Sequence, residues 1–453
     1  IFTYLIIKGS YKEAKYLLGL VGILLGIFLL IFLTWKGWHM GLATIVAAFA
    51  VLVLNGMAIW PGISESYATA FKNFAGTWFL LFALGAIFGK VMDESGAASA
   101  ISNFIVGKLG KKQIVLIILL TTAILAYGGI SVFVIMFTMY PICMALFKEA
   151  DIPRKLFPAM SICMAGTTCM TFLPGAPSVP NLVPTEALGT TIYAAPVIGI
   201  IGGICVFIMD YIFFTQMIRI AAKNGEHFAM AAGDTIADLN DEEQLKNLPP
   251  VWKAFMPIVV LIVGAFVLMR FLTPSNYAVV TAMALACITG IVLMHDKFSA
   301  KSAVSAGFSN GFNSLVVTSS IMGFGGVVTA SPTFTSITEW VLGLQMSPIL
   351  LACVGINVIC AITGSASGGI TIFWNTLADY MISTGINSQI LHRITCIACS
   401  GLDAMPYSSG IVLANEVGKC ELKDSYKYMF VSNALIPLIG LVIAIILYQL
   451  GLC

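Results

Sequence analysis

Residues 113–147 and 340–378 run for 35 and 39 positions without a charged side chain. A helix needs about 20 apolar residues to cross the hydrocarbon core of a bilayer. Each stretch is therefore too long for one crossing and is expected to fold back on itself. Further apolar runs cover 16–35, 187–209 and 428–453. Lipid offers no partner to a free backbone group, so only helices and closed barrels span it. The short alternating segments of a barrel do not occur here. Charged residues make up 10% of the chain and hydrophobic ones 59%, against roughly 25% and 45–50% in soluble domains. The fold class is an all-α polytopic membrane protein, multi-pass in the cell inner (plasma) membrane, with about 10–13 spans and re-entrant segments.

A net charge of +2 carries no nucleic-acid signature. The opening I-F-T-Y-L-I-I-K lacks a small-residue cleavage site, so no cleaved signal peptide is expected. The eleven cysteines are scattered through apolar sequence and read as small packing residues. Cys396-x-x-Cys399 has no second pair, so neither a metal nor a redox site is expected from it.

One stretch is aqueous. It divides the chain into a first repeat (1–218), a hydrophilic loop (219–250) and a second repeat (251–453). Features of the halves correspond at an offset of about 237 residues. Phe71-Lys72-Asn73-Phe74 matches Phe308-Ser309-Asn310-Gly311. Gly85-Ala86-Ile87-Phe88-Gly89 matches Gly323-Phe324-Gly325-Gly326. Each half then carries a long apolar run broken by glycine, at Tyr127-Gly128-Gly129-Ile130-Ser131 and at Thr363-Gly364-Ser365-Ala366-Ser367-Gly368-Gly369. Each ends in a second breaker. The first is Phe172-Leu173-Pro174-Gly175-Ala176-Pro177-Ser178-Val179-Pro180-Asn181. The second is Gly401-Leu402-Asp403-Ala404-Met405-Pro406-Tyr407-Ser408-Ser409-Gly410.

Paired Gly/Pro interruptions at matching places mark secondary transporters built from inverted repeats. Non-helical backbone survives at membrane depth where it lines a cavity or is buried in protein. Its free N–H groups suit anions and its free carbonyls suit cations. The candidate substrate-binding residues are Gly129, Ser131, Thr167, Thr168, Ser178, Asn181, Ser365, Ser367, Tyr407, Ser408 and Ser409. None is cationic, so a bound anion would meet dipoles and hydroxyls. Helix packing by small residues is the competing reading for any one of them.

Asp403 is the candidate ion-coupling residue. An ionisable group inside a membrane segment is costly and usually functional, and burial favours its protonated form. It could equally coordinate Na⁺ or cap a helix. Asp210, Arg270 and Asp379 lie near segment ends and read as structural pairs. Lys90, Asp93 and Glu94 read as a span end, and His392-Arg393 as a water-facing pair. Gly307-Phe308-Ser309-Asn310-Gly311 matches G-x-S-x-G, but its repeat partner has no serine and none of the four histidines lies clearly within a span. No ATPase motif is present, and no enzymatic activity or cofactor is expected beyond a coupling ion, H⁺ or Na⁺. Basic residues stand in several loops (Lys108, Lys111, Lys112; Arg154, Lys155; Arg219, Lys223), which leaves the orientation open.

With these elements placed, the sequence resembles the gluconate permease family of the ion-transporter superfamily. The resemblance is carried by Gly85–Asp93 with Ser95-Gly96, by Y-G-G-I-S-V-F-V-I-M-F-T-M-Y-P from Tyr127 to Pro141, by 173–196 and by 364–413. Leu173-Pro174-Gly175-Ala176-Pro177 followed by Ala187-Leu188-Gly189 looks like the family's proline-glycine motif, and Gly364-Ser365-Ala366 like its second glycine-serine hairpin. The resemblance implies a proton-coupled importer of a sugar acid or related hydroxycarboxylate. It also implies a homodimer whose transport domain moves against a scaffold as an elevator. The segments 37–55, 251–272 and the last span are the expected scaffold and dimer contacts. Histidines familiar from the proline motif and the second breaker are absent here. Gly128-Gly129 stands where the family has an acidic residue. In both respects the chain is similar to divergent branches labelled organic-acid or citrate-like permeases.

Overall fold

The structure is a computed structural model, and it describes residues 2–127, 130–176, 178–234, 236, 247–268, 270–272, 275–342 and 346–452. All regular elements among the described residues are helical. The first half contains α1 (Phe2–Trp35), α2 (Met40–Leu54), α3 (Ala68–Glu94), α4 (Ala97–Leu109), α5 (Ile114–Tyr127) and α6 (Val132–Ala150). Next come α7 (Phe157–Ile162), which continues as a π-helix over Cys163–Phe172, α8 (Val179–Leu188) and α9 (Pro196–Lys223). The second half contains α10 (Val251–Leu268), α11 (Ser275–Leu293), α12 (Ala300–Thr329), α13 (Pro332–Leu342), α14 (Pro348–Thr363), α15 (Ala366–Ser383), α16 (Ser388–Ala398) and α17 (Ser409–Gly418). It closes with α18 (Leu422–Phe430), a π-turn at Val431–Leu435, and α19 (Ile436–Gln449). Among the described residues six continuous helical stretches are long and apolar enough to cross a membrane. A seventh is added by the pair Ala97–Leu109 and Lys111–Tyr127, bent by 107°.

Both charge-free runs do fold back. Helix α5 has 14 residues and is only about 21 Å long at 1.5 Å per residue, short of the ~30 Å core. Helix α6 begins at Val132 and packs against α5. Helices α14 and α15 repeat this around Gly364, whose φ of +60° is a left-handed conformation that glycine adopts without a Cβ penalty. The N-caps of the returning helices are Ser131 and Ser365, and those after the breaks are Ser178 and Ser408. The offset between the halves therefore shrinks along the chain rather than holding near 237.

Packing partners are exchanged reciprocally between the halves. Helix α2 lies on α12 while α11 lies on α3; α8 packs on α15 and α16 while α17 packs on α6 and α7. The two broken helices run antiparallel. Arg154, just before α7, donates to the Gly418 carbonyl at the end of α17 at 3.3 Å. At the other end, His392 of α16 bonds Asn181 of α8 at 3.1 Å and the Cys396 thiol donates to the Pro180 carbonyl at 3.0 Å.

The G-x-S-x-G match lies within α12 and is a helix-crossing point. A Cβ on Gly307 would stand 2.6 Å from the Ile87 Cα, and one on Gly311 2.5 Å from the Phe82 carbonyl oxygen. Two glycines four apart let α3 and α12 approach backbone to backbone. The Ser309 hydroxyl donates to the Ser305 carbonyl of its own helix at 3.1 Å.

The basic loops share one face. Lys111 pairs with Glu149 at 2.9 Å and Lys155 with Glu226 at 2.6 Å. Lys90, which also pairs with Asp93 and Glu94, donates to the Gly233 carbonyl at 2.9 Å. Asp234 gathers the Arg154 guanidinium, the Tyr140 hydroxyl at 2.7 Å and the Lys419 ammonium at 2.8 Å. The segment following α9 is thereby strapped across the ends of α6, α7 and α17. Burial acts to raise the Asp234 carboxyl, but the donors from Lys419, Tyr140, the Ala231 amide and Arg154 outweigh it and hold the group below the usual carboxylate range.

Two expectations are corrected here. His392 and Arg393 are wholly buried rather than water-facing. The Arg393 guanidinium donates to the carbonyls of Ala194 (3.0 Å), Ile192 (3.1 Å) and Thr171 (3.3 Å). The His392 ring spans Thr190 and Asn181. Asp210 is not at a segment end but midway along α9, wholly buried and without an ion-pair partner among the described residues. Arg270 and Asp379 are exposed.

Candidate substrate site

The four interruptions meet at one cavity of about 360 Å³, a size suited to a small ligand. Its wall includes Ser131, Ser178, Ser365 and Ser408, the N-cap residues of α6, α8, α15 and α17, and the first helical residue after each: Val132, Val179, Ala366 and Ser409. Four helix N-termini thus open onto one space. Each N-terminus carries about half a positive elementary charge on its free N–H groups.

The serines act in two ways. Ser131 and Ser365 accept from the amides of Val134 and Gly368, at 3.5 and 3.1 Å, and cap their helices. Ser178 donates instead to the Met170 carbonyl at 2.5 Å, and Ser408 to the Asp403 carbonyl. Neither caps the helix that follows, so the first-turn amides of α8 and α17 have no side-chain cap. Pro180 removes one of these donors from α8. The first turn of α17 keeps its amides, and a Cβ on Gly410 would meet nothing within 4 Å. Bare backbone faces open space there.

Among the described residues Asp403 is the one acidic group on the wall, and no Lys or Arg lines it. Its Oδ1 is buried without a hydrogen-bond partner among the described residues. Ser408 holds the N-cap position of α17 without a side-chain bond to it, and Asp403 lies five residues before it.

Of the sequence candidates, Ser131, Thr167, Ser178, Ser365, Ser367, Ser408, Ser409 and Asp403 line the cavity. Thr168, Asn181 and Tyr407 do not. Asn181 donates to the Ala176 and Ile192 carbonyls at 2.9 and 3.0 Å and braces the first break. The Tyr407 hydroxyl donates to the Ala361 carbonyl, and its ring lies under Gly364, where a Cβ would come within 3.3 Å. Thr168 is buried elsewhere in the π-helix. Gly129 falls outside the described residues, as does Pro177 of the Phe172–Asn181 breaker. Sequence reasoning missed Trp78 and Phe133, aromatic walls hidden in apolar helices, and Asn433. Asn433 had a signal, as an amide within the apolar run 428–453.

A helical body with several membrane-length spans around a polar, centrally broken site defines a multi-pass membrane transporter. The family model described as GntP family permease matches residues 18–450, so the chain belongs to the GntP permease family. It is 28% identical over 451 residues to the uncharacterized transporter YxjC of Bacillus subtilis, covering 91% of this chain and 95% of that one. It is 25% identical over 319 residues to the high-affinity gluconate transporter of Escherichia coli, covering 67% and 68%. With the gluconate permease of Bacillus subtilis it shares 27% identity over 258 residues, 55% of each chain.

Proposed function

We propose that this protein is a secondary active symporter that imports a small organic anion, a hydroxycarboxylate or sugar acid such as gluconate, coupled to H⁺ through Asp403. One observation carries the reading. Four helix N-termini converge on a cavity that, among the described residues, holds no cationic side chain and one carboxyl. N–H dipoles and hydroxyls hold an anion firmly enough to bind it and loosely enough to release it, whereas a buried ion pair would resist release. The printed functions of two relatives, a gluconate transporter and a gluconate permease, support the substrate class.

The antiparallel broken helices and the exchanged packing support two inverted repeats around the site. Helices α3, α12 and the pairs α1–α2 and α10–α11 supply the scaffold of an elevator. The hairpins and broken helices supply the moving body, and the assembly is a homodimer. The face carrying Lys90, Lys111, Arg154, Lys155 and Lys419 is cytoplasmic by the positive-inside rule.

The test is uptake of labelled gluconate and related carboxylates into proteoliposomes under an imposed pH gradient. Accumulation above equilibrium supports the reading. Accumulation driven only by Na⁺ favours a citrate-like, Na⁺-coupled di- or tricarboxylate carrier. Equilibration under every gradient makes the protein a passive anion channel and ends the symporter reading.

A further inference from the structure

Helix α9 buries one stripe: Ile198, Gly199, Gly202, Gly203, Val206, Asp210 and Phe214. Small and apolar residues fill it except at its centre, where Asp210 is 0% exposed. Neither of its carboxyl oxygens has a hydrogen-bond partner among the described residues. An ionised carboxylate buried in an apolar stripe without a protein donor is costly, so the site suits a neutral acid.

The surroundings point to a use. The stripe packs on the π-helix that forms a wall of the cavity. Gly202 and Gly203 meet Phe172 and Leu173 at its end, and Cys163 at its start lies beside Asp210. Cavity-lining Thr167 donates to the Cys163 carbonyl. Thr168 stands one π-turn from Cys163, given the i→i+5 repeat, and its hydroxyl is also buried without a partner. An unpartnered acid and an unpartnered hydroxyl thus lie behind the wall that the substrate would touch. The other titratable side chains packed against α9 are engaged or peripheral: Arg393, beside Gly199, donates to the Ala194, Ile192 and Thr171 carbonyls. The Cys163 thiol donates to the Met160 carbonyl, the Cys169 thiol to Ala123 and the Tyr127 hydroxyl to Pro174. Tyr448 lies near the end of α19.

We propose that Asp210 is a second proton-carrying carboxyl of the transport cycle, protonated in this conformation and discharged to water when α9 shifts against the π-helix. This rests on the proton-symport reading and adds one proton per substrate to that of Asp403. No bond changes other than the O–H bond of the acid, and the proton leaves to solvent on the releasing side.

Two experiments on the full-length protein decide it. In the first, infrared difference spectra across a pH titration are compared for wild type, Asp210→Asn and Asp403→Asn. D210N is expected to lose a carboxylic-acid carbonyl band that D403N keeps. Identical bands in wild type and D210N overturn the proposal. In the second, proteoliposomes are clamped at zero membrane potential, and steady-state gluconate accumulation is read against the imposed pH gradient. The logarithmic slope counts protons per substrate. D210N is expected to accumulate about tenfold less per pH unit of gradient while retaining gluconate counterflow, which reports an intact fold. A sloped wild type with an equal slope in D210N removes Asp210 alone. A wild type without slope removes the proton reading itself, and Asp210 with it.

Discussion

The Thr171 hydroxyl donates to the Ser400 hydroxyl at 3.0 Å. One belongs to the last turn before the first break and the other opens the second break. This bond crosses between the two halves of the chain where their broken helices pass each other, and both residues are wholly buried. Thr171 also accepts from Arg393 through its carbonyl, so the two breaks are fixed as one body. Thr171→Val and Ser400→Ala are expected to be non-additive. A double-mutant cycle read by thermal unfolding in detergent should give a coupling of about 0.5–1.5 kcal/mol. Strict additivity would mean that the breaks are held together elsewhere.

Asp403→Asn keeps the shape of the side chain and removes its titration. The protein is expected to assemble normally and to exchange substrate in counterflow, yet to accumulate about tenfold less of it per pH unit of gradient, with the proton of Asp210 still coupled. Wild-type accumulation by this variant would take Asp403 out of the coupling.

Gly410 begins the turn where backbone meets open cavity. Gly410→Val should fill that space without touching protein. The KM for gluconate uptake is predicted to rise roughly tenfold, equivalent to about 1.4 kcal/mol of binding, while the unfolding temperature stays put. An unchanged KM would show that the substrate lies elsewhere.

The crossing of α3 and α12 separates a packing motif from a catalytic one. Gly311→Leu has to push against the Phe82 backbone and is expected to destabilise by about 1–3 kcal/mol, visible as a lowered unfolding temperature. Ser309→Ala should leave both stability and uptake unchanged. A loss of activity in Ser309→Ala with stability intact would point instead to Ser309 as a catalytic serine of the G-x-S-x-G type.

The strap at Asp234 sets a pH dependence. Its carboxyl titrates lower in the folded protein than the ~3.9 of an unfolded aspartate. The stabilisation it gives is therefore present above that unfolded value and lost as pH falls through the lower folded one. The gap in unfolding temperature between wild type and Asp234→Asn should hold from neutral pH to roughly pH 4 and close below it. A gap that widens on acidification would contradict the assignment.

How far the sequence could be read depended on whether a feature was local. The charge-free lengths of 113–147 and 340–378 carried the hairpins, because helix rise and bilayer thickness leave little choice. Glycine, proline and serine at the interruptions carried the breaks. Side-chain direction was not legible. Asn181 and Tyr407 have the chemistry of ligands, but Asn181 is turned into its own break and Tyr407 onto the end of α14. His392 and Arg393 looked like a loop edge because their partners, Asn181 and Ile192, come from the other half of the chain. The sidedness of the basic loops was hidden for the same reason. It appears only when Lys111 is seen beside Glu149 and Lys155 beside Glu226.

The four N-termini that begin at serines have a consequence for how such a carrier can diversify. Their positive potential belongs to main-chain amides, and no single substitution deletes it. Changes at Trp78, Phe133, Ser367 or Asn433 can reshape the cavity, altering which acid fits, while the sign of the field stays the same. Preference for negative charge is therefore robust to mutation, and choice among negatively charged molecules is open to it.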